Sequence, residues 1–462
     1  MSWHTVLVAM LPEHLLLAGI VLLLLLEIGS SRPRGALALS LLAVAGATVA
    51  AATLYWTGYA ADAFPGQFSV NGPSLLGKVT LLGLSLPVLL MARSDFADDS
   101  PFYALLLSSL YGACLLMSSD SFLTLFLGIE LMSLPVYVMV LLAFRRPQCA
   151  DAALKYLVLG GAATAMLLMG VSLLFGATGS LWIGEFPAAL ASPELMPRAA
   201  VVLVLVAFFL KAAIVPFHAW APDAYETASV PVTAYMATVI KAGVLLAALR
   251  LFGTAPVSGP MVELIAILPL ASIVWGNLTA MRQASLRRMM AYSSIAHAGY
   301  LFFVFLGDAS GRLEAAVFYV MAYGLVNLLA FASLPASDDD VARDRLDTLR
   351  GLYHRQPYAA VAIGLAMLSL AGIPPLPGFI GKFLIFKNVI AAGHVTYAVL
   401  GLIASYLGIY FYLRVIQVMF MSPQQAAMGS GGSRRVALGA SLVCLVPVLL
   451  LAVFPGWVLD RL

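Results

Sequence analysis

Charge is what this sequence has least of. Asp, Glu, Lys and Arg together make up 10% of its 462 residues, against 62% hydrophobic, and mean hydropathy is +0.99. No long polar block interrupts the apolar sequence, which argues against an attached soluble domain. A core buried in water needs far less apolar sequence than this, so the composition indicates a polytopic membrane protein. Cysteine is also scarce. Cys114, Cys149 and Cys444 are far apart and form no CxxC pair, so no disulfide framework, zinc site or iron–sulfur cluster is expected. They read as reduced, buried, small apolar residues. No GxGxxG, P-loop, spaced histidine pair or hydrolytic triad is visible, so the sequence offers no redox centre, nucleotide site or hydrolase chemistry. The N-terminus lacks a basic n-region, and "LPEHLLLAGIVLLLLLEIG" reads as a first membrane helix rather than a cleaved signal.

What the sequence does have is long apolar runs. A helix needs about 20 apolar residues to cross a bilayer. Fourteen such segments are expected, beginning near Leu11, Gly35, Pro73, Tyr103, Phe122, Ala152, Ala199, Val230, Met261, Met289, Ala315, Tyr358, Val395 and Val436. The fourth and fifth are separated only by "SSDS", Ser118 to Ser121. The expected fold is an all-α membrane protein. Its organisation reads as a three-helix segment over 1–100, one repeat over 101–252, a second over 253–420, and a C-terminal helix over 421–462.

Arginine sets the orientation. The odd-numbered loops carry Arg32, Arg34, Arg93, Arg145, Arg146, Arg282, Arg287, Arg288, Arg343, Arg345, Arg350, Arg355, Arg414, Arg434 and Arg435, which is 15 of 19 arginines. The even-numbered loops carry Arg198, Arg250 and Arg312, and the C-terminal tail carries Arg461. By the positive-inside rule the odd loops are cytoplasmic and both termini face the other side. "SDDDVARDRLDTLRG", from Ser337 to Gly351, reads as a solvated cytoplasmic loop.

All six lysines, in contrast, lie in or at the edges of predicted spans. A charged lysine at a helix centre costs ~2.5–3.5 kcal/mol on insertion scales. Arginine keeps its proton in a protein, whereas a desolvated lysine can release one near neutral pH. Buried lysines are therefore candidate proton carriers. Lys78 and Lys387 lie at span ends and read as snorkelling to the interface. Lys155 lies a few residues into the sixth span, where both readings stand. Lys211 in "VLVAFFLKAAIVPFHAW" and Lys241 in "AYMATVIKAGVLL" are mid-span. Glu130 in "FLTLFLGIELMSLPVYVMV" is the acidic residue nearest the middle of any span. It needs a cationic partner, and a mid-membrane lysine is the obvious one. Glu27 reads as interfacial.

Prolines stand beside two of these lysines. Pro216 follows Lys211 by five residues. Pro374, Pro375 and Pro377 interrupt "GIPPLPGFIGKFLIF", and Lys382 follows Pro377 by five. Proline forfeits a helix hydrogen bond, and irregular backbone at membrane depth is tolerated only where protein buries it or water solvates it. Both breaks, in the seventh and twelfth spans, therefore predict a polar, hydrated interior. Their spacing is that of an inverted repeat, with spans four to eight matched to nine to thirteen. His297 in "AYSSIAHAGYLF" reads either as a water-linked bridge between lysines or as a structural hydrogen-bonding residue. His218 reads as lying at a cytoplasmic mouth, and His4, His14, His354 and His394 as terminal or loop-borne.

"GIELMSLPVYVMV", "KYLVLGGAATAMLLMGVSLLFGATG", "FFLKAAIVPFHAWAPDAYE", "RQASLRRMMAYSSIAHAGYLF", "FYVMAYGLVNLLAF" and "LAGIPPLPGFIGKFLIF" run from about Gly128 to Phe386. Together they resemble the antiporter-like membrane subunits of proton-pumping NADH:quinone oxidoreductase, respiratory complex I. Lys382 within "GFIGKF" is similar to the subunit N branch of that family. The resemblance implies a proton-translocating function driven by redox chemistry elsewhere. Glu130 and Lys211 would be the charge pair of a first half-channel, Lys241 a central relay and Lys382 the residue of a second half-channel. Lys155 would be an auxiliary, and His297 would lie between Lys241 and Lys382. The chain itself would bind no cofactor, since NADH, FMN, iron–sulfur clusters and quinone would belong to other subunits. Its partners would be the other membrane-arm subunits and the lipid bilayer. It would span a bacterial inner membrane with both termini periplasmic. The departure from the family pattern is "ETASVPVT", Glu226 to Thr233, at the start of the eighth span. A multi-subunit cation/proton antiporter shares the same features and is the alternative reading.

Overall fold

The computed structural model describes residues 3–29, 35–96, 99–143, 147–253, 255–335, 345–421 and 438–461. Arg32, Arg34, Arg145, Arg146, Arg343, Arg434 and Arg435, and the acidic stretch Ser337 to Asp344, lie outside these residues. Fourteen apolar segments, two of them broken, are present among the described residues. The first six are Leu11–Gly29, Ala36–Trp56, Gly72–Phe96, Ser100–Ser118, Phe122–Leu142 and Pro147–Thr178. The seventh is broken, as Leu195–Ala212 and Trp220–Thr227. The next four are Val230–Phe252, Pro260–Ala280, Leu286–Leu306 and Ala309–Ala332. The twelfth is broken, as Pro357–Ala371 and Pro377–Ala391, and Val395–Met421 and Leu438–Val453 complete the set. Twelve helices are long and apolar enough to cross a membrane on their own. The two halves of span twelve and the last helix are shorter. The chain is an all-α membrane protein with one addition, a short antiparallel hairpin of Ala61–Phe64 and Phe68–Val70 between spans two and three.

The turn between spans four and five is short because its polar residues satisfy both helix ends. Ser121 Oγ accepts a hydrogen bond from the Thr124 amide, and the Thr124 hydroxyl accepts from the Ser121 amide. This reciprocal capping supplies acceptors to two amides that the helix start would otherwise leave open. Arg250, near the end of span eight, closes over the same turn. Its guanidinium donates to the carbonyls of Ser119 (2.6 Å) and Met117 (2.8 Å), to Ser69 Oγ in the hairpin (2.7 Å) and to Asp120 Oδ1 (2.6 Å).

The chain folds as two compact units. One comprises Met1–Ala212 with Val239–Val257, the other Ala213–Thr238 with Ser258–Leu462. The changeover points fall at the break in span seven and within span eight, where Met236–Ile240 form a π-helical turn. In the first unit, spans four and five pack closely enough that a Cβ on Gly112 would stand 2.4 Å from the Met132 amide nitrogen. In the second unit, spans ten and eleven are almost wholly buried, 94% and 89% of their apolar windows, and therefore form its interior.

Gly112→Ala is expected to destabilise the fold by ~1–3 kcal/mol, since backbone on backbone cannot yield. Gly83→Ala, with nothing within 4 Å of the new methyl, is expected to leave stability unchanged or raise it by up to ~1 kcal/mol. Thermal denaturation of the two membrane-extracted variants beside the parent checks the pair.

Candidate functional site

In the first unit the leading helix of span seven ends at Ala212, one residue beyond Lys211. Ala213 takes a left-handed conformation, φ 61°, unusual for a residue with a side chain, and breaks the helix. The Lys211 side chain is buried and reaches span five. Its ammonium donates to Glu130 Oε1 (3.0 Å), to Tyr137 Oη (3.2 Å) and to Ser133 Oγ (3.4 Å). An ammonium has three donors, and here each has an acceptor. Glu130 sits one turn before Ser133 and two turns before Tyr137, so the three acceptors share one helix face. The Ser133 hydroxyl itself donates to the Ile129 carbonyl (2.7 Å).

Glu130 has another partner. The Thr164 hydroxyl of span six makes a short hydrogen bond to Glu130 Oε1 and also lies 3.0 Å from the Gly160 carbonyl. One hydroxyl proton can serve only one of them at a time. The space beside Lys211 is about 10 Å³, the lower limit for a single water. Lys241 is buried in the same unit, directly after the π-helical turn. Turns of this kind are rare and concentrate at functional positions. Lys155 lies on the exposed face of span six.

The second unit holds Lys382 differently. The leading helix of span twelve stops at Ala371, and a helix end leaves four carbonyls without intrahelical partners. Gly372, at φ 86°, turns the chain so that its amide bonds the Ser369 carbonyl and the Ile373 amide bonds the Leu368 carbonyl. The carbonyls of Leu370 and Ala371 remain, and Lys382 Nζ donates to both, at 3.0 and 3.3 Å. Its third donor reaches Ser405 Oγ (3.2 Å), and the amine lies 4.8 Å from the centre of the Tyr300 ring. Lys382 thus rests on dipoles and a π face, with no carboxylate within ion-pair distance among the described residues. Pro374 and Pro375 create this site by preventing the helix from continuing. A groove of about 390 Å³, lined by Gly372, Phe379, Lys382, Phe383, Ser405 and Tyr406, opens beside the amine.

His297 lies in the interior of this unit, between two phenols. Nδ1 is 2.6 Å from Tyr319 Oη on span eleven, and Nε2 is 3.1 Å from Tyr412 Oη on span thirteen. Tyr412 Oη in turn meets Ser293 Oγ at 2.5 Å. A neutral imidazole donates from one nitrogen and accepts at the other, so Ser293, Tyr412, His297 and Tyr319 form a hydrogen-bonded row that can reverse direction. Tyr300 touches both the His297 ring, with centroids 5.4 Å apart, and Lys382, and its hydroxyl accepts from Asn277 Nδ2 (3.4 Å).

The break in span seven is anchored by span ten. Arg288 Nη1 bonds Asp223 Oδ1 (3.1 Å) and Glu226 Oε2 (2.6 Å) on the Trp220–Thr227 helix, and Arg287 donates to the Ala228 carbonyl (2.7 Å). Near Pro216, the Val215 amide donates to Ser272 Oγ (2.8 Å), and His218 Nε2 accepts from the Trp275 indole (3.1 Å).

Two expectations need correction. Lys78 does not snorkel. It is fully buried and paired with Glu13 at 2.6 Å, because the start of span three is covered by span one and span four. His14 is not terminal or loop-borne but lies in the first turn of span one. Thr164, Tyr319 and Tyr412 were not identifiable from spacing, since each meets its partner from another span.

Comparison with known proteins bears on the whole chain. The family described as NADH:quinone oxidoreductase/Mrp antiporter, transmembrane, matches residues 119–408. A protein named NADH-quinone oxidoreductase subunit N from Pelobacter propionicus is 42% identical, over 89% of this chain and 89% of that one. Its namesake from Geobacillus kaustophilus is 34% identical over 100% and 97%. A chain in the structure of respiratory complex I from Thermus thermophilus superposes with a TM-score of 0.84 at 35% identity, covering 97% of this chain and 98% of that one. A chain of the Mrp complex from Dietzia superposes at 0.85 with 22% identity, over 100% and 96%, and shows the fold alone. The arrangement of spans, the two breaks and these likenesses converge: the chain belongs to the NADH:quinone oxidoreductase and Mrp antiporter transmembrane family, among the bacterial NADH-quinone oxidoreductase subunit N proteins.

Proposed function

We propose that the chain is a proton-translocating membrane-arm subunit of a bacterial NADH:quinone oxidoreductase. Protons are carried by Glu130, Lys211 and Lys241 in the first unit and by His297 and Lys382 in the second. The observation that carries this reading is the contrast between the two breaks. Lys211 is held by a carboxylate, Lys382 by carbonyls and a hydroxyl alone. While Glu130 is charged and in contact, Lys211 keeps its proton. Protonating or withdrawing Glu130 removes that partner and leaves the buried amine with hydroxyls alone to hold it. Thr164 follows the change, turning from Glu130 to Gly160.

At Lys382 no anion is stranded when the amine becomes neutral, because dipoles and a hydroxyl are its partners. His297, between two phenols, passes a proton by taking one on one nitrogen and releasing one from the other. Lys155, exposed on span six, is proposed as an auxiliary at the edge of the first unit. The driving energy comes from other subunits, which in this reading hold NADH, FMN, the iron–sulfur clusters and quinone. The neighbours are the other membrane-arm subunits. The distribution of arginines supports a multi-pass placement in the cytoplasmic membrane with both termini periplasmic. Spans four to eight and nine to thirteen are proposed as the two inverted repeats.

Lys211→Ala and Lys241→Ala are each expected to assemble and to abolish NADH-driven proton uptake in membrane vesicles. Normal uptake by both assembled variants would overturn the relay. Thr164→Val is expected to slow uptake about tenfold or more, the value of one hydrogen bond to a charged group. Thr164→Ser is expected to restore it, as measured by initial uptake rates.

A further inference from the structure

Another acid–base pair lies outside all the residues given a role above. Glu13 occupies the first turn of span one and Lys78 the second turn of span three. Nζ stands 2.6 Å from Oε1, and the two side chains are 0% and 1% exposed, against 7% and 19% for Lys211 and Glu130. This is therefore the more deeply buried of the two pairs. Spans one and three both pack on span four.

The two pairs differ in how they are satisfied. Lys211 finds an acceptor for every donor. Beyond their mutual contact, neither oxygen of Glu13 nor the ammonium of Lys78 has a hydrogen-bond partner among the described residues. His14 Nε2 and Ser118 Oγ are likewise buried without one. Buried polar groups are nearly always paired. Stability alone does not account for such a pair either, since apolar side chains of similar volume are commonly as stable. Ionisable groups kept inside a membrane domain in this state mark ion paths by default. Unused donors and acceptors on both partners match the hydrogen-bonding habit of water, which makes two to four bonds in polar interiors.

We propose that Glu13 and Lys78 form a second proton-holding site, in which water completes the hydrogen bonds and Glu13 Oε2 takes up a proton during turnover. Oε1 is engaged by Lys78, so Oε2 is the open atom. In the step, an O–H bond of the delivering water chain breaks as an O–H bond forms on Oε2. Lys78 keeps its proton. The pair passes from net zero to one positive charge and returns when the Oε2–H bond breaks and the proton passes on to a water other than the one that delivered it.

The inference rests on the translocation reading, and the experiment separates the two. Membrane vesicles carrying the assembled complex with Glu13→Gln, with Glu13→Leu/Lys78→Met, or with Lys241→Ala are compared with the parent. Proton uptake per NADH and the infrared difference spectrum between resting and turning-over enzyme are recorded. The parent is expected to show a protonated-carboxyl band that Glu13→Gln lacks. The double variant is expected to assemble, oxidise NADH and take up fewer protons per NADH. Parental uptake by the double variant, or a band unchanged by Glu13→Gln, overturns the site. Should the double variant not assemble, the infrared comparison decides alone, because glutamine preserves shape and still accepts from Lys78. If Lys241→Ala pumps normally, the translocation reading falls. If it fails to pump while the double variant does not, only the Glu13–Lys78 site falls.

Discussion

An ammonium group inside a membrane domain must find three acceptors or give up its charge, and much of this structure answers that demand. Hydrocarbon offers none, and an ordinary helix has already used its carbonyls internally. The chain meets the need from two sources. Around Lys211 the acceptors are side chains from a single face of span five. Around Lys382 they are carbonyls made available by stopping a helix early. The first solution requires a neighbouring span within side-chain reach, and the second requires a broken helix.

The two solutions differ in what they leave behind. A lysine that loses its proton beside a carboxylate leaves that carboxylate uncompensated, so the acid must move or be neutralised with it. A lysine that loses its proton beside carbonyls leaves only dipoles, which tolerate a neutral amine at modest cost. One site is therefore tied to the state of a partner acid, and the other is free to relax. The row through His297 is of the latter kind, since phenols and an imidazole exchange donor and acceptor roles without any member becoming charged at rest.

Much of the fold was legible because its signals are local. Twenty-residue apolar runs, prolines within them and arginines between them each declare themselves within a short window, and the fourteen spans begin within a few residues of where those runs begin. The capping residues Ser121 and Thr124 explain how so short a turn as "SSDS" can separate one helix from the next. What was not legible depends on which spans meet. Lys78 at the edge of a hydrophobic run looks interfacial until span one is seen to lie over it with Glu13. Tyr319 and Tyr412 look like packing aromatics, being 22 and 115 residues from the histidine they hold. Thr164 is 34 residues from the acid it bonds. The strands of the hairpin at Ala61–Val70 are four and three residues long, too short for their alternation to announce them.

The π-helical turn at Met236–Ile240 has a geometric consequence for Lys241, which follows it directly. Such a turn accommodates one surplus residue, and each residue of an α-helix advances the azimuth by roughly 100°. Everything C-terminal to the surplus is therefore wound round by about that angle relative to where an uninterrupted helix would place it. The amine presents itself on a meridian that an uninterrupted helix would have given to an adjacent side chain. A one-residue slip of the hydrogen-bond ladder through this turn would swing that meridian by the same angle without unfolding the span.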